Sequence, residues 1–295
     1  MTETSTIGAA LADGTKRLRT SGSPSARLDA EVLLAHVSGH DRSWILAHPE
    51  AALREAAAYA TAIDRRATGE PIAYIRGFKE WRSLRIRTDA RALIPRPETE
   101  LLADAAMTAI EARMRREAEP LVAWEVAVGS GAVAVALALR FRSALDLERL
   151  RLIATDTSPE ALDLAAANLA EHDVASLVTL ARADLLEAGA DATWPRPDVI
   201  VANLPYVPSA EVDARLGSLA FEPRLALDGG ADGLALLRRL MGELPERAAP
   251  GATILLEIGA GQADAVAAMV PAGASASMVA DLAGLDRVAR VQMPD

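Results

Sequence analysis

Apolar positions recur at helical spacing through the first 70 residues. Residues 5–22 (STIGAALADGTKRLRTSG), 25–39 (SARLDAEVLLAHVSG) and 50–71 (EAALREAAAYATAIDRRATGEP) each read as a helix, with a short helical piece, SWILAHPE, ahead of the last. Gly39 suits the C′ position that closes the second helix. Pro49 stops the short piece, and Gly69 or Pro71 ends the last. A small helical domain is expected over residues 1–71. The period then changes. Leu84, Ile86 and Thr88 alternate with Arg85 and Arg87, as in a half-buried strand. Ile72 to Ile75 is expected as its partner, giving a β-hairpin at 72–88 inside a connector that spans 72–97 and ends at the stiff IPRP. Glu98-Thr99-Glu100 opens the next helix with acids in its first turn.

Beyond residue 98 strands and helices alternate. Strands are expected at 121–127, 151–156, 177–182, 197–203 and 252–258, and helices near 131–141, 159–171, 232–245 and 261–270. The last stretch, ASMVADLAGLDRVARVQM, reads as two strands around a turn at Ala283-Gly284, an antiparallel edge hairpin. Such alternation implies an α/β fold with a doubly wound parallel sheet over residues 98–295. One segment, 121–139, carries Glu125 as its only charge and approaches the length of a membrane helix. Gly129-Ser130-Gly131 interrupts it, so a buried strand followed by a buried helix is expected instead.

Composition narrows the chemistry. The 295 residues suit one large domain or two modest ones. There is no cysteine, which excludes disulfides and thiolate chemistry, and the four histidines lack a carboxylate partner at ligand spacing, so no metal site is expected. MTETSTIGAA has neither the basic start nor the apolar run of a signal peptide. The net charge of −10 disfavours a protein built to grip phosphate backbones.

Four stretches carry candidate chemistry. Glu125, Val126, Ala127, Val128, Gly129, Ser130 and Gly131 join the first sheet strand to its helix. Glycines there admit a ligand to the backbone, and the helix N-terminus offers N–H groups; tight helix–strand packing alone also uses glycine. Asp156 follows, at the tip of the second strand, where an acid typically accepts from ribose hydroxyls. Ser158 and Pro159 beside it are explained by capping. Asp184, after the third strand, suits adenine contact or an N-cap of LLEA equally well. Asn203, Leu204, Pro205 and Tyr206 end the fourth strand. An Asn side chain both accepts and donates, the Leu204 carbonyl accepts, Pro205 holds Leu204 extended, and Tyr206 offers a flat face. That set suits a planar amino or amide group; a strand terminus with a structural tyrosine is the plainer alternative.

VANLPYVP is similar to the Asn-Pro-Pro-Tyr signature of methyltransferases that modify a planar nitrogen, with Leu204 in place of the first proline. Together with SARLDAEVLLAHVSG, GEPIAYIRGF, LIPRPETELL, FEPRLALDGGADGL and LLEIGAGQ, it makes the chain resemble the protein N5-glutamine methyltransferases of the release-factor type, the HemK/PrmC family, over nearly its whole length. The resemblance implies a Rossmann-like methyltransferase domain preceded by a helical substrate-docking domain. It implies S-adenosylmethionine as cofactor and S-adenosylhomocysteine as product. Glu125 and Ala127 to Gly131 would line the methionine end, Asp156 would bind the ribose, Asp184 and Leu185 would lie by the adenine, and Asn203 would serve both cofactor and target amide. Asn203 to Tyr206 would clamp the substrate: the glutamine of the Gly-Gly-Gln motif in class 1 peptide chain release factors. A cytoplasmic monomer without membrane or direct nucleic-acid contact is expected. Glutamine methylation of a ribosomal protein, or N6-adenine methylation of nucleic acid, is the alternative. The family's loop usually reads Asp-Leu-Gly-Thr-Gly; Glu125, Ala127 and Val128 depart from it.

Overall fold

The computed structural model describes residues 5–117, 119–187, 194–214 and 217–295. The chain forms two compact units. One runs from Met1 to Phe78 and takes in Leu216–Phe221; the other holds Lys79–Arg215 and Glu222–Asp295.

The first unit is helical: α1 (Ile7–Thr20), α2 (Ala26–Ser38), α3 (Arg42–Ala47), α4 (Ala56–Ala67) and α5 (Ile72–Arg76). Thr6 caps α1 by accepting from the Ala9 N–H, and Asp41 caps α3 by accepting from that of Trp44. Gly39 closes α2 in the left-handed region, φ 70°. Ile7, Leu18, Leu33, Leu34, Ile45 and Ile63 fill its core. Buried Asp29 of α2 pairs with Arg66 of α4 at 2.8 Å. The strand expected at Ile72 to Ile75 is instead the helical turn α5. The Pro71 carbonyl accepts from the N–H groups of Tyr74 and Ile75, and Ala73, Tyr74 and Ile75 are buried in succession rather than alternately.

The hairpin's first strand is β1 (Phe78–Trp81), paired with β2 (Leu84–Arg87). Arg82 and Ser83 turn between them, both with positive φ (49° and 60°), as a tight two-residue hairpin needs. Neither residue advertises such a turn. Arg82 is held there by tertiary contacts: its N–H donates to Glu100 and its guanidinium pairs with Asp104 at 2.7 Å. Both acids belong to α6 (Glu98–Arg116).

The sheet of the second unit comprises β3 (Leu121–Val126), β4 (Leu150–Asp156), β5 (Val178–Arg182), β6 (Val199–Ala202), β7 (Thr253–Glu257), β8 (Ser275–Ala280) and β9 (Asp286–Gln292). Its order is β5-β4-β3-β6-β7-β9-β8; β9 runs antiparallel to both β7 and β8, and the other pairs are parallel. Helices α7 (Ala132–Arg140), α8 (Arg142–Asp146), α9 (Pro159–Glu171), α10 (Ser209–Asp213), α11 (Ala235–Arg247) and α12 (Ala263–Ala268) complete it. Alternation along the strands assigns the faces. Leu121, Ala123, Leu152, Val199, Val201 and Leu255 pack with α6, α7 and α9, while Val122, Trp124, Ile200, Ala202, Ile254 and Leu256 pack with α11 and α12. Strands buried on both faces explain the continuous apolar runs in the sequence. Among the described residues no helix is long and apolar enough to cross a membrane.

The parallel strands are added outward in one direction from β3 to β5 and in the other from β6 to β7, so the winding reverses between β3 and β6, which makes their carboxyl ends the ligand-binding crevice of such a sheet. Register sharpens the point. Val126 pairs with Thr155 and with Ala202, and Ala202 pairs with Leu256. The next residue on each strand is therefore Ala127, Asp156, Asn203 and Glu257, one row along the sheet's upper edge.

Candidate active site

A cleft of about 410 Å³ opens at this edge, lined by the loop after β3, Asp156, Asp184, Leu185, Asn203 to Pro205, Arg91 to Arg96, Pro223 and Arg239. Its volume falls within the range of roughly 300–1,000 Å³ usual for small-molecule sites.

The loop is fixed from behind. Val128 N–H donates to the Thr155 carbonyl, and Gly129 N–H donates to Asp156 Oδ2 at 2.9 Å. Ala127, Gly129 and Gly131 all have positive φ (59°, 52° and 79°). The two glycines serve different ends. A Cβ on Gly131 would lie 3.1 Å from the Cα and Cβ of Ala165, so α9 demands glycine there; a Cβ on Gly129 would meet only Ala92, at 4.0 Å. Gly129 thus presents bare backbone to the cleft.

The acids differ in state. Asp156 also accepts from the Ser158 N–H at 3.0 Å; burial pushes its carboxyl above the usual range, against the pull of those N–H donors. Glu125 is 5% exposed and its Oε2 has no partner among the described residues. Burial pushes it well up, the Ala134 N–H opposes the shift, and nearby Asp156 adds to it. Asp184 pairs with Arg239 across 2.9 Å, which orients its carboxylate at the cleft's end. Residues 185 and 186 form a turn and Glu187 begins a 3₁₀ turn, with Leu185 buried at φ 53°. Ala188, the last residue of LLEA, lies outside the described residues.

Asn203 Nδ2 donates to Thr99 Oγ1 at 3.2 Å. Among the described residues no group donates to Asn203 Oδ1 or to the Leu204 carbonyl. The Leu204 side chain is buried in the α11 face, where Leu237 and Ile258 also pack. Tyr206 stands apart from the other three. It does not line the cleft, and its hydroxyl turns to Glu257 Oε1 at 3.5 Å. Burial first, then the Glu257 charge, push that phenol up to about 12.

Several supporting residues were not singled out by sequence pattern. Buried Glu222 accepts from the Ile94 N–H at 3.0 Å and pairs with Arg96, so FEPR holds IPRP at the cleft wall. Asn168 of α9, fully buried, accepts from the Arg87 N–H and donates to the carbonyls of Arg87 and Ser130, tying the hairpin to the loop. Gln262 donates to the Tyr206 carbonyl at 3.2 Å and accepts from the Gly259 N–H. A Cβ on Gly233 would lie 2.2 Å from the Tyr206 carbonyl oxygen, which is why DGGADGL is rich in glycine. Only the stretches themselves were visible beforehand, because a partner a hundred residues away leaves no local period.

The donor set fits a nucleoside-bearing cofactor: bare backbone at Gly129, carboxylates at Asp156 and Asp184, and an apolar wall from Leu185 and Ala161. Comparison with known proteins agrees. The PrmC N-terminal domain family matches residues 9–77. The chain is 37% identical over 287 residues to the release factor glutamine methyltransferase of Moorella thermoacetica, covering 96% of each. It is 35% identical over 286 residues to that of Koribacter versatilis, covering 96% of this chain and 97% of the other. The hMettl16 catalytic domain shares the fold alone, at 12% identity, a TM-score of 0.51 and 81% of each chain. Identity above one third across almost the full length of both relatives, carried on this sheet and cleft, means that the chain belongs to the release factor glutamine methyltransferase family.

Proposed function

We propose that the protein transfers a methyl group from S-adenosylmethionine to the side-chain amide nitrogen of the Gly-Gly-Gln glutamine in class 1 peptide chain release factors. The observation that carries this is the pair of unclaimed acceptors, Asn203 Oδ1 and the Leu204 carbonyl, beside the loop of Ala127 to Gly131. When bound, S-adenosylmethionine supplies a methyl group made electrophilic by its sulfonium. Asp156 would accept from its ribose hydroxyls, Asp184 and Leu185 would border the adenine, and Glu125 with the loop would hold the methionine end.

An amide nitrogen is a poor nucleophile because its lone pair is delocalised into the carbonyl. Positioning therefore carries most of the task. Asn203 and Leu204 accept the two amide hydrogens and turn the nitrogen's face toward the methyl. Pro205 keeps the Leu204 carbonyl extended, and Tyr206 braces the loop from behind. The proton released after transfer leaves to water. The helical first unit serves as the docking element for the factor. This reading describes a monomer acting in the cytoplasm on a protein, without direct nucleic-acid contact.

The test is methyl transfer to a purified, unmodified factor, followed by peptide mass. One added methyl on the Gly-Gly-Gln glutamine is expected. A methyl on a ribosomal protein or on nucleic acid instead would refute the substrate assignment. Asn203→Ala is expected to lower kcat by about 10²–10³-fold, with S-adenosylmethionine affinity within a few fold. Near-normal turnover in that variant would remove the clamp.

A further inference from the structure

The steps above give no role to Glu257, a buried acid on the same row as Asn203. Glu257 ends β7, is 2% exposed, and its Oε2 has no partner among the described residues. The Tyr206 hydroxyl lies 3.5 Å from its Oε1, and the Thr99 hydroxyl and Asn203 amide act on the same carboxyl, each pulling its pKa down. The register explains the meeting. Ala202 and Leu256 pair and pack on the α11 face, so Asn203 and Glu257, one residue on, turn to the opposite face. There α6 brings Thr99 to 3.2 Å from Asn203 Nδ2.

A carboxamide has a donor edge and an acceptor edge. Whichever edge faces the cleft decides the ligand: Oδ1 takes an N–H group, while Nδ2 takes a carbonyl or carboxylate. Glu257 biases that choice. An ionised carboxyl only accepts, and so draws Nδ2. Thr99 relays the same polarity, accepting from Asn203 and donating toward Glu257. Burial pushes the Glu257 carboxyl up, and the Thr99 hydroxyl pulls it back down.

We infer that Glu257 is a positioning residue: through Asn203 it aims the acceptor edge at the substrate and so makes the site select a carboxamide over a carboxylate. This rests on the glutamine reading above.

The test compares wild type, Glu257→Gln and Glu257→Leu, each loaded with S-adenosylhomocysteine. The probes are a release factor carrying Gly-Gly-Gln and the same factor carrying Gly-Gly-Glu. Wild type and Glu257→Gln, which keeps a carbonyl acceptor, are expected to bind the glutamine form at least about 10-fold more tightly. In Glu257→Leu the preference is expected to shrink to within about 3-fold. Its kcat is expected to fall by about 10²-fold, with S-adenosylhomocysteine affinity held within about 3-fold. A Leu variant that keeps the wild-type preference overturns the inference, as does a Gln variant that loses it. Glu257→Met replaces the Leu variant if that one fails to fold. Failure of wild type itself to bind or methylate the factor would refute the glutamine reading and the inference with it.

Discussion

Ala127 holds a left-handed backbone, φ 59°, in the loop that faces the cleft. An L-residue there costs roughly 1–2 kcal/mol, part of which a glycine gives back through the freer unfolded chain. Ala127→Gly is therefore expected to stabilise the unliganded protein by about 0.5–1 kcal/mol by urea unfolding, and to tighten S-adenosylmethionine binding. A loss of stability would show that the loop does not carry this strain. Glu125 is the second strained residue, in charge rather than in backbone. Its folded carboxyl is pushed well above the unfolded one, chiefly by burial. Folding thus favours the protonated form: the stability it contributes is whole at acid pH and is lost as pH rises toward the raised folded value. Glu125→Gln has no such loss. Melts of unliganded protein between about pH 5 and pH 8 should show the variant gaining on wild type as pH rises. A constant difference would mean that Glu125 titrates normally.

At the scale of elements, the cleft wall depends on loops pressed against one another. Gly233 follows the FEPRLALD stretch with φ 76°, and a Cβ there would strike the Tyr206 carbonyl. Gly233→Ala is expected to destabilise by about 1–3 kcal/mol and to cut methyl transfer through displacement of Asn203 to Tyr206. Gly242→Ala makes the contrast. That glycine lies inside α11 with open space around its Cβ, so the change should stabilise by up to about 1 kcal/mol. Equal effects at both positions would deny Gly233 its supporting role. Elements with strong local signals were legible in advance: α9 with Ser158 and Pro159 at its start, α2 with Gly39 at its end, and the five parallel strands. The 72–75 segment was not, because buried Tyr74 and Ile75 satisfy a helical turn or a strand equally, and only Pro71 and the packing of α5 decide. Nor was the Arg82-Ser83 turn, whose positive φ values are sustained by α6 rather than by the residues themselves.

At the scale of the whole molecule, the alternation of strands and helices dictates the layered sheet, since apolar strands can be buried on both faces only by helices on both sides. The strand order then puts the reversal between β3 and β6, and the row Ala127, Asp156, Asn203, Glu257 follows from register. The sequence by itself determined the helical first unit, the α/β class, the loop at Ala127 to Gly131 and the Asn203 to Tyr206 stretch, because each is written in local period or in residue chemistry. Tertiary structure alone decided that Tyr206 turns away from the cleft, that Glu222 and Asn168 brace its walls, and that Glu257 meets Asn203. Those contacts join residues far apart in the chain, and the physics that fixes them is burial and hydrogen-bond satisfaction across the sheet, which no local pattern records.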